Sequence, residues 1–171
     1  PVEVDAANVS GTCGTNLTWT LDEQGVLTIS GTGAMTLSLH VDTALVKKVV
    51  IEEGVTAICI EDFENLTSIN IPASVTSVGD YLPFSGCTNL TGIWVDADNP
   101  SFYSDSRGVL FDKNKNYLIR APYKIAGSYA IPYGVDIIDD SAFIGCTELT
   151  DVTIPDSVFM IDIGAFYGCT G

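Results

Sequence analysis

The sequence predicts a mainly β solenoid, with coils of about 23 residues built from short strands and turns and a β-hairpin cap at the N-terminal end. Three observations predict this fold. One phrase recurs at constant spacing, short alternating apolar segments end at proline, and an early pair of alternating segments is joined by a turn sequence. We place the cap at residues 1–45 and the repeats at residues 46–171.

The hairpin of the cap is predicted from residues 17–29. Apolar side chains alternate with threonine at Leu17, Trp19 and Leu21, which is the period of a strand with one buried face. A turn follows at Asp22-Glu23-Gln24-Gly25, and residues 26–29 return along the first strand. A solenoid needs a cap with one polar face, and this hairpin stands where that cap is required.

The repeats are recognised by residues that recur in one register. Three pairs of equivalent residues lie 23 positions apart: Ile131 and Ile154, Phe143 and Phe166, and Cys146 and Cys169. The same phrase begins at Ile71, and a degraded copy without Gly-Cys-Thr begins at Ile51. Alternating apolar residues close each unit as a short strand, which proline ends because it cannot donate to a ladder. One coil cannot cover its own large Phe, so the coils must stack.

One coil is longer than the others. Val95 and Ile131 lie 36 residues apart where about 23 are expected, so we place an elongated coil at residues 96–130. Within it, residues 108–111 and 117–119 flank a polar turn and predict a second hairpin that bulges from the coil. The last repeat is truncated in mid-unit, and we expect either a fragment of a longer array or the end of the array itself.

The charge of the chain excludes two classes of partner. It contains 7 Lys and Arg against 22 Asp and Glu, so the formal net charge is −15. Nucleic acids and anionic lipid surfaces are bound mainly through Lys and Arg, so neither is an expected partner. No apolar stretch approaches the roughly 20 residues of a membrane helix, and no membrane insertion is expected. The chain begins at Pro1, so any signal peptide is expected to have been removed or left off.

No pattern for catalysis, a cofactor or a metal is present. The one histidine, His40, has neither a positioned nucleophile nor a rigid setting beside it. Residues 112–116 imitate the start of a calcium loop, but Tyr117 stands where glycine is required and Tyr123 where the bidentate Glu is required. A hairpin turn explains that segment better. We therefore expect no enzyme, no cofactor and no metal site.

The cysteines fit a repeat better than a disulfide framework. There are five, an odd number, and no two form a C-x-x-C pair. Cys87, Cys146 and Cys169 share one register and are expected to point inward as small apolar residues. Stacking of the coils could also bring two of them within bonding distance, and the sequence leaves that alternative open.

Several of these motifs together resemble a known family. The opening GTCGTNLTWTLDEQGVLTISGTGAM and the repeats IPASVTSVGDYLPFSGCTNL, IPYGVDIIDDSAFIGCTELTDVTIP and IPDSVFMIDIGAFYGC are similar to those of BspA-like leucine-rich repeat proteins of bacterial surfaces. The resemblance covers the chain from Gly11 onward. It implies a right-handed leucine-rich-repeat solenoid that is secreted or attached to the cell surface. It also implies adhesion to host or matrix proteins or to other bacteria, without a catalytic motif.

Two surfaces are candidates for binding. The outward row of the repeat strands contains Asn70, Trp94 and Thr153, with Asp151 beside it. An exposed tryptophan is typical of binding hot spots. Trp94 is expected either to be exposed in this way or to pack under the hairpin of residues 108–120.

The second candidate surface is apolar. Phe159 and Met160 replace small polar residues of the other repeats, and Ile137 lies one coil earlier. These residues predict an interface at the open C-terminal repeat, either with further repeats or with a second chain.

Together, these features favour a non-enzymatic, cell-surface or secreted module that binds another protein, such as host matrix, in cell adhesion. Two alternatives stay open: a structural spacer of a larger surface protein with no ligand of its own, and a glycan-binding module. An outward row of Thr, Ser, Ala and Gly favours the spacer, whereas an exposed aromatic or charged cluster favours binding. We expect an extracellular or bacterial cell-surface location.

Overall fold

Parallel pairing between strands of successive coils organises the molecule. The computed structural model describes residues 9–36, 39–79 and 82–171. Within these ranges, all regular structure is β-strand except one short 3₁₀ helix at Thr43–Leu45. Residues 1–8, which belong to the predicted cap, lie outside the described residues.

Fifteen strands follow one another along the described chain. They are β1 (Val9–Gly14), β2 (Leu17–Leu21), β3 (Val26–Gly31), β4 (Gly33–Ala34), β5 (Lys48–Ile51), β6 (Val55–Ala57), β7 (Ser68–Ile71), β8 (Gly92–Val95), β9 (Phe102–Ser104), β10 (Leu110–Asp112), β11 (Tyr117–Arg120), β12 (Gly127–Ala130), β13 (Ile137–Ile138), β14 (Leu149–Thr153) and β15 (Met160–Ile161). They form a four-stranded sheet, a five-stranded sheet and three strand pairs. The predicted mainly β solenoid with coils of about 23 residues is confirmed.

Among the described residues, no helix has the length and apolar character needed to cross a bilayer.

The cap is an antiparallel sheet that leads directly into the solenoid. β2 and β3 form the predicted hairpin, with Leu21 opposite Leu27. Asp22 sets its turn, because the Oδ1 atom of Asp22 accepts the backbone N–H of Val26 at 2.8 Å. β3 then pairs in parallel with β5, the strand of the first coil. The hairpin prediction is confirmed, and β1, which the sequence pattern does not predict, adds a third antiparallel strand.

Two rows of parallel strands run along the solenoid. In the first row, β7 pairs with β8, and β12 pairs with β14, so that Asn70 lies beside Trp94 and Ala130 beside Thr153. In the second row, β11, β13 and β15 pair in turn. Residues that are 23 or 24 positions apart in the sequence therefore become direct neighbours.

The elongated coil contains a three-stranded meander. β9, β10 and β11 pair antiparallel in sequence order. β11 is also the first strand of the second parallel row. The predicted hairpin is therefore present, but it forms part of the stack and does not bulge from it.

A buried asparagine joins the elongated coil to the coil before it. The side-chain amide of Asn99 donates to the carbonyl oxygens of Pro72 and Val75, both at 2.8 Å. Its side-chain oxygen accepts the backbone N–H groups of Ser101 and Phe102, at 2.9 and 2.8 Å. All four hydrogen-bonding positions of this fully buried amide are used, as the burial of a polar group requires.

The core is a column of apolar side chains inside the coils. The plugs Phe63, Phe84 and Phe143 are buried, as the repeat predicts. The last coil differs: Phe166 is half-buried and Ile154 is exposed, although the repeat places both in the core. They are open because the described chain places no further coil over them.

One charged side chain lies inside this core. Arg120 is buried and donates to the carbonyl oxygen of Ser141 at 2.5 Å. Its guanidinium carbon lies 4.6 Å from the centre of the Tyr123 ring. Strand alternation places Arg120 on the same inward face as Leu118, and the aromatic contact and the carbonyl offset part of the cost of burying the charge.

Candidate binding surface

The outward side of the first strand row carries two of the predicted binding residues. Asn70 and Trp94 are both exposed and are direct partners in the parallel ladder of β7 and β8. Their neighbours along the two strands point the other way and are buried: Ile69, Ile71 and Ile93. The structure therefore brings Asn70 and Trp94 together on one surface.

Trp94 lies over a glycine of its own strand. A Cβ atom at Gly92 would stand only 2.6 Å from Cζ2 of the indole, so the ring occupies the space that a side chain at this position would need. Gly108, at the start of the predicted hairpin, approaches the Gly92 backbone, where a Cβ at Gly108 would lie 2.6 Å from the Gly92 Cα. Trp94 as a whole remains 40% exposed. Of the two expectations for Trp94, exposure is the one observed.

A cleft of about 320 Å³ opens beside the indole, and we call it the Trp94 cleft. It is lined by Ile51, Asn70, Ile71, Pro72, Trp94, Val95 and Asp96. Mostly apolar walls with a few polar groups are typical of sites that bind a ligand or a side chain. Pro72 and Asp96 were not among the predicted site residues. They directly follow β7 and β8, and residues that follow paired parallel strands meet at one edge, which is the signal that could have found them.

The other two predicted binding residues lie elsewhere. Asp151 and Thr153 are exposed on β14, in register with Ser128 and Ala130 of β12. This strand pair is separate from the pair of β7 and β8. The outward row therefore consists of two patches, one at the Trp94 cleft and one at Asp151 and Thr153.

A loop of the elongated coil, residues 105–108, fills the gap between the two patches. Its Arg107 donates to the carbonyl oxygens of Ala126 and Ser128, at 2.7 and 3.2 Å. On the other side, the backbone carbonyl of Gly108 accepts the N–H of Ile93 at 3.0 Å. Hydrogen bonds to both strand pairs therefore hold the loop in place.

The same loop is anchored from inside by a tyrosine. The hydroxyl group of Tyr129 donates to the Asp105 carboxylate at 2.7 Å. Burial, reinforced by this hydrogen bond, raises the pKa of Tyr129 well above its usual range. Because Tyr129 keeps its proton, it remains a donor to Asp105 across the physiological pH range.

The predicted apolar surface is present at the last coil, and we call it the end patch. Phe159 is 75% exposed and Met160 is exposed beside it. Two further side chains extend it, Ile161 and the 81% exposed Ile163, which the sequence comparison of repeats did not single out. Ile137 does not belong to it: this side chain is 7% exposed, because β15 pairs alongside β13 with Met160 next to Ile137.

The residues that the sequence analysis considered for metal binding or catalysis do not form such a site. The Asp112 carboxylate accepts the N–H groups of Asn114 and Tyr117, at 3.2 and 2.7 Å, and so closes the turn between β10 and β11. His40 is exposed within the cap. Within the described ranges, no group of three His, Cys, Asp or Glu side chains is arranged to hold a metal ion.

All five cysteines lie in the described residues, and none is in a disulfide. Cys87 and Cys146 point into the core, and burial raises the pKa of Cys87 to about 11 and that of Cys146 to about 12. Cys59 is exposed, with its thiol donating to Glu61 at 3.4 Å. The buried thiols of Cys87 and Cys146 remain protonated at neutral pH and act as small apolar side chains.

Comparison with protein families identifies the repeat. The model for the BspA type leucine-rich repeat region matches residues 41–106 and 124–171, in six copies. Among curated proteins, none matches the sequence.

Two solved structures are similar to this chain. A leucine-rich cell surface protein from Faecalibacterium prausnitzii is 34% identical with a TM-score of 0.66, over 84% of this chain and 38% of that one. A leucine-rich repeat protein from Eubacterium ventriosum is 22% identical with a TM-score of 0.54, over 95% of this chain and 64% of that one. The second likeness concerns the fold alone. This chain thus spans less than two thirds of the length of either protein.

Proposed function

This chain belongs to the BspA-type leucine-rich repeat family, and from that premise we propose that it is a non-enzymatic, cell-surface or secreted module that binds another protein through the Trp94 cleft. One observation carries the proposal: Trp94 is held in an exposed position over Gly92, beside a cleft that Asn70 and Asp96 also line. Tryptophan is enriched among the few residues that supply most of the energy of protein interfaces.

The surroundings of Trp94 suit it for binding. The strands on which Trp94 and Asn70 lie are fixed by a parallel ladder and by the buried core beneath them. A partner therefore meets a surface that loses little conformational entropy on binding. Since Gly92 leaves room for the indole, the ring is already placed before a partner arrives.

The location rests on the family and on one relative. The similar protein from Faecalibacterium prausnitzii is described as a cell surface protein, which supports an extracellular or surface location for this chain. Repeat solenoids of this kind are typically binding or scaffolding proteins, which supports the non-enzymatic role.

A second candidate is a structural spacer, and one observation favours it. Apart from Trp94, Asn70 and Asp151, the outward row consists of small or short side chains, including Ser68, Ser128 and Ala130. Such a row offers little to a partner. The two candidate functions differ in the role of Trp94. An exposed tryptophan contributes to a binding module, whereas it contributes nothing to a spacer.

The test is a binding screen against immobilised host matrix proteins and cell-surface glycans, with the wild-type chain and Trp94→Ala compared. We expect at least one protein ligand whose binding falls about tenfold or more in Trp94→Ala. Tyr133→Ala is the matched control, because it truncates another exposed aromatic side chain outside the cleft. Binding that survives in Trp94→Ala removes the cleft from the proposal, and no binding at all favours the spacer. A glycan ligand that depends on Trp94 favours the glycan-binding alternative.

The end patch is the second surface to which we assign a role. Phe159, Met160, Ile161 and Ile163 are all exposed at or next to the edge strand β15, and exposed apolar side chains at such an edge mark contacts with other chains or further repeats. We infer that the end patch makes such a contact, either with further repeats or with a second copy of this chain.

A further inference from the structure

The Trp94 cleft contains one ionisable side chain, the carboxylate of Asp96, among the residues that line it. Asp96 is exposed, and its Oδ1 atom accepts the backbone N–H of Asp98 at 2.9 Å. In the part of the chain that the structure describes, the one ion pair joins Lys124 to Glu148. No described lysine or arginine therefore forms an ion pair with Asp96.

One basic residue, Lys113, is held close to Asp96 but forms no ion pair with it. Lys113 donates to the backbone carbonyl of Ala97 at 3.2 Å, one residue beyond Asp96. The Asp96 carboxylate therefore forms no ion pair with a described residue and can still form one with a partner.

The indole adds a second preference for a cation. The face of an aromatic ring carries partial negative charge, and tryptophan binds a cation more strongly than the other aromatic side chains do. An ammonium or guanidinium group at Trp94 can also reach a carboxylate in the same cleft. The alkyl stem of a lysine or arginine would meet the apolar walls at Ile71 and Pro72.

The charge of the whole chain favours the same partner. With a formal net charge of −15, the chain attracts cationic partners and repels acidic ones at long range. A neutral glycan gains nothing from this field. We propose that the Trp94 cleft takes a lysine or arginine side chain, so that the partner of this surface is a basic segment of another protein. The proposal rests on the proposed function and specifies the chemistry of its partner.

The probe is a synthetic octalysine peptide, compared with octaglutamate and with a neutral glycine–serine peptide of the same length. Each is titrated into the whole chain by isothermal calorimetry, with tryptophan fluorescence followed in parallel. We expect octalysine to bind, to change the fluorescence of Trp94, and to bind more weakly as ionic strength rises. The other two peptides are expected not to bind.

Variants separate the cleft from general attraction to an acidic chain. Asp96→Asn and Trp94→Ala are each expected to weaken octalysine binding about tenfold. Asp156→Asn removes the same charge from an exposed position in the last coil. This variant is expected to change octalysine binding by less than about twofold. Equal losses in Asp96→Asn and Asp156→Asn, or full affinity in Trp94→Ala, would overturn the proposal.

A second variant tests the indole without removing it. Gly92→Ala places a methyl group in the space of the ring and must displace it. Circular dichroism first establishes that each variant is folded. We expect Gly92→Ala to reduce octalysine binding about as much as Trp94→Ala does. Unchanged binding would show that the position of the Trp94 ring over Gly92 is not needed for binding.

The failure of this proposal differs from the failure of the proposed function. If a neutral protein binds through Trp94 while octalysine does not, the basic partner is wrong and the binding function stands. If a glycan binds through Trp94 instead, the basic partner is wrong and the glycan-binding alternative gains. If neither octalysine nor any member of the screen depends on Trp94, both proposals fail.

Discussion

Phe166 stacks on Phe143, with ring centroids 5.0 Å apart and ring planes inclined by only 7°. The two residues occupy the same place in successive repeats, 23 positions apart. Phe143 also contacts the Tyr129 ring, at 5.9 Å and 55°. Each coil therefore covers the plug of its neighbour, which is why a single repeat unit cannot be stable alone.

Phe143→Ala is expected to destabilise the chain by about 3–5 kcal/mol, because it leaves a cavity between two aromatic rings. Phe166→Ala removes the same group from the half-buried position in the last coil, and about half that loss is expected. Urea unfolding followed by far-ultraviolet circular dichroism measures both values. Equal losses would show that the last coil is as tightly packed as the interior.

Asn99→Ala is expected to cost about 2–3 kcal/mol, since two carbonyls and two N–H groups lose their partner in the core. Asn89→Ala is the matched control: this exposed amide makes one hydrogen bond, to the Glu64 carbonyl at 2.8 Å. A loss below about 1 kcal/mol is expected there. The same urea unfolding series compares them, and similar losses in the two variants would contradict the joining role of Asn99.

Alkaline pH is expected to destabilise the chain through its buried thiols. Burial, and to a smaller extent the nearby Cys169, raises the pKa of Cys146 to about 12 in the folded state. Below pH 9, the thiol is protonated in both states and its full contribution is present. Above pH 9, the unfolded chain loses this proton first, so the free energy of unfolding falls as the pH rises toward 12.

The effect is measured as the change in unfolding free energy between about pH 8 and 11, under reducing conditions, in the wild-type chain and in Cys146→Ala. Other titrating groups contribute equally to both chains, so the difference isolates Cys146. We expect the wild type to lose about 2–3 kcal/mol more than the variant does. Parallel pH curves would show that Cys146 ionises as freely in the folded chain as in the unfolded one.

The end patch is expected to make the chain associate at high concentration. Sedimentation velocity or small-angle scattering over a concentration series should show a monomer–dimer equilibrium, which Phe159→Ser shifts toward the monomer. Leu45→Ser is the control, because it removes an exposed apolar side chain from the cap. A wild-type chain that stays monomeric throughout the series, or equal effects of the two variants, would count against self-association.

The repeat spacing is what makes this fold predictable from sequence. A period of 23 residues, with its Phe and its alternating apolar residues, determines both the stacking and which side chains face inward. The exposed positions of Asn70, Trp94 and Thr153 follow from the same alternation. The turn at residues 22–25 is equally local, since aspartate and glycine supply it without help from the rest of the chain.

Other features depend on contacts that no local pattern records. Strand β9 pairs only because β10 lies beside it, and the burial of Ile137 depends on β15 one coil later. The position of the Trp94 ring depends on the missing side chain of Gly92, which reads in the sequence as an ordinary strand glycine. The separation of the outward row into two patches depends on where the longer coil places its extra residues.

The loop at residues 105–108 gives the longer coil a consequence for recognition. Because hydrogen bonds fix it to strands on both sides, it keeps the Trp94 cleft and the Thr153 patch at a constant distance. A partner that touches both patches must carry two contact points with matching spacing. The elongated coil therefore fixes the spacing of the two patches. Under the proposed binding function, a change in its length would change the spacing that a partner has to match, while every contacting side chain stayed the same.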